Sequence, residues 1–83
     1  MAVDNDNLGK VIKQTRESKN ISQEVLSGLA AVDRSHLSKI ECGKRSPTVT
    51  VLRKLAHAMG VSASDLLSIA ENYEDNTHNN EQI

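Results

Sequence analysis

"VDRSHLSKIECGKRSPT", Val32 to Thr48, carries Arg34, Lys39, Lys44 and Arg45 against Asp33 and Glu41. Placed on a helix that advances about 100° per residue, Arg34, Ser35, Ser38 and Lys39 fall within an arc of roughly 140°. Leu37 and Ile40 point the opposite way, toward a core. One face is therefore apolar. The other offers two long cations with small hydroxyls between them.

The stretch also shows how the chain is punctuated. Val32-Asp33 is followed by Leu37, and Pro47-Thr48 by Leu52; upstream, Ile21-Ser22 is followed by Leu26, and downstream, Val61-Ser62 by Leu66. Each Ser, Thr or Asp is placed to cap a helix by accepting from its unpaired N–H groups. Each preceding residue, with the Leu four after the cap, is spaced as a hydrophobic staple. Four such matches in succession predict four short helices. A fifth precedes them, because Leu8, Val11, Ile12 and Thr15 follow amphipathic helical spacing, with Asn7 or Asp6 as its cap. The expected stops are Lys19-Asn20, Ala31, Gly43 and Gly60. No segment alternates in the manner of a strand, so the fold class is all-α.

A chain of 83 residues allows one small domain. One Tyr and no Trp or Phe leave an aliphatic core. The single cysteine, Cys42, excludes an internal disulfide. No apolar run has the length of a signal core or a membrane span, so a cytoplasmic protein with no membrane partner is expected.

The net charge of −1 hides an uneven distribution. Residues 8–70 hold all ten Lys and Arg but only Glu17, Glu24, Asp33, Glu41 and Asp65, a surplus of five positive charges. The organisation predicted is an N-terminal arm over 1–7, a basic helical domain over 8–70, and an acidic, Asn-rich tail over 71–83. That tail buries too little to order itself beyond about Tyr73. A basic domain points to an anionic partner.

The face of Arg34, Ser35, Ser38 and Lys39 suits the major groove of double-stranded DNA, where Arg pairs with guanine edges and Ser and Lys reach bases or phosphates. A plain solvated face is the commoner fate of an isolated helix. Here, however, "SQEVLSGLA" precedes the cap at Asp33 by only Ala31-Val32, which is a helix-turn-helix arrangement. Ser22 and Gln23 open the earlier helix, where N–H groups favour a phosphate. Lys44, Arg45 and Ser46 follow the later helix and can hold the adjacent backbone, as can His36.

From "LGKVIKQT" through "ISQEVLS", "VDRSHLSKIECGKRSP" and "LRKLAHAMGVSASDLL", residues 8–67 resemble the lambda-repressor-like (Cro/Xre-type) helix-turn-helix family. The resemblance implies five helices, with residues 34–42 as the recognition helix. It implies base contacts from Arg34, Ser35, Ser38 and Lys39, and phosphate contacts from Gln23 and the loop after Gly43. It also implies a structural ion pair between Arg16 and Glu41, and a homodimer formed by the C-terminal region. Leu67, Ile69, Ala70 and Tyr73 supply apolar surface for that interface. A toxin or other regulatory protein is the competing use.

The chain departs from the family pattern at four positions. Gly28 interrupts the second helix, Ala31 stands where Gly is common, Thr15 replaces a large aliphatic, and Cys42 replaces a polar or basic residue. These bear on stability more than on function.

Nothing in the sequence assembles a catalytic or cofactor site. His36, His57 and His78 share no metal-ligand spacing with Cys42. Cys42, His36 and Asp33 would lie along one helix without a pocket. "GKRSP" lacks the ending of a nucleotide-binding loop. A redox role for Cys42 finds no second thiol in the chain, and a tolerated small side chain is the plainer reading. The expectation is a non-enzymatic, repressor-type regulator that binds a palindromic operator as a homodimer. An antitoxin, or an interaction module on the same fold, is the alternative. No sensor domain is expected, with control through concentration, a partner or proteolysis.

Overall fold

The computed structural model describes the backbone of residues 5–82 and the side-chain surroundings of residues 7–72. Five helices follow one another: α1 (Asn5–Ser18), α2 (Gln23–Ala30), α3 (Arg34–Glu41), α4 (Val49–Met59) and α5 (Ala63–Gln82). No strand occurs among the described residues.

Three of the four connections share one design. Asn20-Ile21-Ser22, Ala31-Val32-Asp33 and Gly60-Val61-Ser62 each open with a left-handed residue, at φ of 59°, 55° and 76°. That turn lets the next N–H reach back into the helix just ended: Ile21 N donates to Arg16 O, Val32 N to Ser27 O and Val61 N to Ala56 O, at 3.0–3.1 Å. These are Schellman closures. The middle residue is apolar in each case. Val32 is buried, while Ile21 and Val61 pack against the core from a half-buried position. The third residue starts the next helix. Ser22 Oγ accepts from Val25 N at 3.1 Å and Ser62 Oγ from Asp65 N at 3.0 Å. Thr48 caps α4 in the same way, accepting from Val51 N at 3.1 Å.

Asp33 is the N-cap of α3, as its place in the sequence predicts. Its backbone carbonyl accepts from Leu37 N at 2.9 Å, but its carboxylate does not make the capping bond that Ser22, Thr48 and Ser62 make. It accepts the Ser35 hydroxyl proton instead. A hydroxyl two residues on competes locally with the backbone donors for the same oxygen.

Ala31 occupies the left-handed region with φ 55° and ψ 43°. A residue with a Cβ carries about 1–2 kcal/mol of strain there. Gly28 is the second weak point of α2. A Cβ built on it meets nothing within 4 Å. Gly28→Ala is therefore expected to stabilise the domain by about 1 kcal/mol, and to raise the melting midpoint followed by circular dichroism by roughly 5 °C.

The core is aliphatic and draws on every helix. Val11 and Ile12 of α1, Leu26 of α2, Leu37 and Ile40 of α3, Leu55 of α4, and Leu66 and Ala70 of α5 are all essentially inaccessible. α3 packs against α1 and α2, and α5 packs against α1 and α4. α1 comes close to the end of α3 at Gly9. A Cβ there would lie 2.2 Å from Ile40 O and 3.2 Å from Glu41 O. Only a glycine lets α1 sit this close to the last turn of α3.

α1 begins at Asn5, so Asp6 and Asn7 lie inside it rather than capping it. Residues 1–4 of the arm expected over 1–7 lie outside the described residues. At the other end α5 runs to Gln82; residues 71–82 contain neither Gly nor Pro, and extending a formed helix needs no new nucleus.

Candidate nucleic-acid interface

α3 divides as its sequence pattern requires. Leu37 and Ile40 are completely buried, while Arg34, Ser35 and Lys39 are exposed and Ser38 and His36 half-buried. The helix ends in a Schellman closure at Gly43, whose φ is 80°. Gly43 N donates to Ile40 O and Lys44 N to Lys39 O, at 3.0 and 2.9 Å, and Arg45 N reaches the same Lys39 carbonyl at 3.3 Å. The loop is thus folded back onto the last turn of α3. Lys44, Arg45 and Ser46 are exposed there. The backbone donors of Lys44 and Arg45 are spent internally, so any contact with an anion must come from their side chains.

At the start of α3 the hydrogen bond from Ser35 Oγ holds the Asp33 carboxyl below its ordinary value. With its proton given to Asp33, the Ser35 hydroxyl turns only lone pairs outward.

Beneath this surface lies one ion pair. Arg16 Nε donates to Glu41 Oε2 at 2.8 Å and Arg16 Nη2 to Glu41 Oε1 at 3.0 Å, a bidentate fork. The two side chains are 9% and 2% exposed. The remaining guanidinium nitrogen, Nη1, donates to Ile21 O at 2.8 Å. One arginine therefore joins α1, the α1–α2 junction and the end of α3. The hydrogen bond to Glu41 raises the Arg16 pKa above its already high ordinary value, so the guanidinium stays charged.

Gln23 belongs to the same group. Its Nε2 donates to Glu41 Oε1 at 2.9 Å. The sequence placed Gln23 as a phosphate donor, and the structure gives one of its two amide N–H bonds to Glu41. Ser22, the neighbouring candidate, spends its oxygen on the Val25 cap and keeps its hydroxyl proton. No signal within either segment joins Gln23 to a glutamate 18 residues away. The importance of Gly9 was also missed. Its one signal was a helix-interior glycine, which is unfavourable unless another backbone comes close.

A helix-turn-helix family model matches residues 12–66, spanning α2, α3 and their junction. The chain belongs to the Cro/C1-type helix-turn-helix family. Control protein C.BamHI of Bacillus amyloliquefaciens is 38% identical over 60 residues, covering 71% of this chain and 74% of that protein. The solved restriction-modification controller C.AhdI of Aeromonas hydrophila is 31% identical with a TM-score of 0.74, over 78% of this chain and 98% of its own. The biofilm regulator SinR, solved in complex with DNA, is 36% identical with a TM-score of 0.69, over 72% of this chain and 97% of its own.

In this helix-turn-helix chain the expected dimer surface divides. Leu67 and Ile69 are exposed, at 36% and 48%. Ala70 is not available: it is fully buried, one turn from Leu66 on the inward face of α5. Residues four apart share a helix face, so Ala70 follows Leu66 into the core. The Tyr73 side chain lies outside the described residues. Cys42 is exposed at the end of α3. No group of three or more His, Cys, Asp or Glu suited to a metal ion is found among the described residues.

Proposed function

We propose that the protein is a sequence-specific transcriptional regulator, of the autoregulating or restriction-modification controller kind, that binds a two-half-site operator in double-stranded DNA as a homodimer. The observation that carries this reading is α3 itself. Its apolar face is wholly buried, while Arg34, Ser35 and Lys39 stand exposed one short turn after α2. Arg34, Ser35, Ser38 and Lys39 read base edges in the major groove. Ser22, Gln23, His36, Lys44, Arg45 and Ser46 hold the flanking phosphates, which fixes register without carrying sequence information. The likeness to control proteins and to DNA-bound SinR supports the same reading. Among the described residues no helix is long and apolar enough to cross a membrane, in keeping with work in the cytoplasm.

Selection from random duplexes at near-physiological salt tests the proposal. Enrichment of a palindrome with half-sites about one helical turn apart is expected. Weak, salt-sensitive binding with no enriched sequence would overturn it. On the selected site, Arg34→Ala should cost about 1–3 kcal/mol and relax preference at one position. Lys44→Ala should weaken selected and random DNA alike and lower the salt slope by about one. If both substitutions affect selected and random DNA equally, Arg34 is no base reader.

In this reading the dimer rests on the exposed Leu67 and Ile69, with Tyr73 one turn beyond Ile69 along α5. Leu67→Asp or Ile69→Asp is expected to give monomers in light scattering. A dimer that survives both substitutions places the interface elsewhere.

A further inference from the structure

Glu41 does more than neutralise Arg16. Its Oε1 accepts from Arg16 Nη2 at 3.0 Å and from Gln23 Nε2 at 2.9 Å, while Oε2 accepts from Arg16 Nε at 2.8 Å. An ionised carboxylate only accepts. The amide of Gln23 therefore has a single permitted orientation, nitrogen toward Glu41, because the flipped amide would set oxygen against oxygen. Arg16 also holds Ile21 O at 2.8 Å, two residues before Gln23, so the backbone leading into α2 is fixed by the same guanidinium. The Glu41 side chain is almost inaccessible, whereas Gln23 is half-buried. The Gln23 amide is where the buried charge pair meets the surface.

We propose that Glu41 is a positioning residue for DNA-backbone binding: by accepting one N–H of Gln23 it presets the other for a phosphate oxygen at the start of α2. This rests on the DNA-binding reading above. A free surface glutamine must be immobilised when it binds, and that ordering weakens association. Here the folded protein has already ordered it.

The test is a cycle of Gln23→Ala, Glu41→Gln and the double variant. Each binds a random-sequence duplex, followed by fluorescence anisotropy over a salt series, at a temperature where circular dichroism shows every variant folded. Glu41→Gln exchanges one acceptor oxygen for a donor, so one remaining acceptor must serve both Arg16 and Gln23. Each single substitution is expected to weaken binding by about three- to tenfold, the worth of one pre-ordered side chain. The salt slope should stay unchanged, because no phosphate-neutralising cation is removed. In the Gln23→Ala background, Glu41→Gln should cost nothing further. If its loss persists there in full, Glu41 acts through the fold alone and the proposal is overturned. Wild-type protein that binds no duplex overturns the DNA-binding reading itself, so the two failures are distinct.

Should Glu41→Gln not fold, the unaltered protein supplies the second measurement. One Gln23 side-chain amide proton should resist solvent exchange in the free protein, and only the other should shift in NMR spectra when duplex is added. Two protons that exchange freely, or shift together, overturn the proposal.

Discussion

Arg16→Met is expected to lower folding stability by about 3–5 kcal/mol, the usual result of leaving one member of a buried ion pair uncompensated. Glu41 would stay 2% exposed at its side chain, with only the Gln23 amide to answer its charge. The carbonyl of Ile21 would lose its donor as well. A domain of this size has roughly 4–12 kcal/mol in total, so the melting midpoint should fall by some 20 °C. Most of the loss should be regained when Glu41→Leu is added, since a buried pair exchanged whole for apolar residues is often neutral. Thermal melts of the two variants check both statements. A loss below about 1 kcal/mol for Arg16→Met would mean that the pair behaves as a solvated surface bridge.

Gly9→Ala has the second largest expected effect, and it runs against helix propensity. In an open helix the change would stabilise by about 1 kcal/mol. At Gly9 the new Cβ would stand 2.2 Å from the backbone oxygen of Ile40. Backbone cannot rotate away as a side chain does, so α1 and α3 must separate. Overpacking of this kind costs about 1–3 kcal/mol, occasionally more. Set against the propensity gain, this leaves a net loss of about 2 kcal/mol and a midpoint lowered by roughly 10 °C. Gly28→Ala is the internal control. It makes the same exchange in a helix interior with nothing within 4 Å, and its effect should have the opposite sign. Equal signs for the two would refute the close approach.

What could be read from the sequence follows from how local each determinant is. The starts of α2, α4 and α5 were legible because Ser22, Thr48 and Ser62 act on N–H groups three residues away. The stops at Asn20, Ala31, Gly43 and Gly60 were legible for the same reason. Gly9 was not, because the oxygen that demands it belongs to Ile40, on a different helix. The Gln23–Glu41 bond was hidden in the same way. Ala70 is a different kind of miss. Its spacing from Leu66 pointed inward, but it was grouped with Leu67, Ile69 and Tyr73 as apolar surface beyond what one terminal helix needs.

The junctions Asn20-Ile21-Ser22 and Ala31-Val32-Asp33 leave no slack, since one apolar residue closes the helix behind it and staples the helix ahead. A single residue inserted between Ala31 and Val32 would part the buried valine from the left-handed turn through which its N–H closes α2 on Ser27 O. Exposed positions on α3 carry no such constraint. Side chains on that outer face can be exchanged without touching the core, while a change in chain length between Asn20 and Asp33 would disturb both junctions at once.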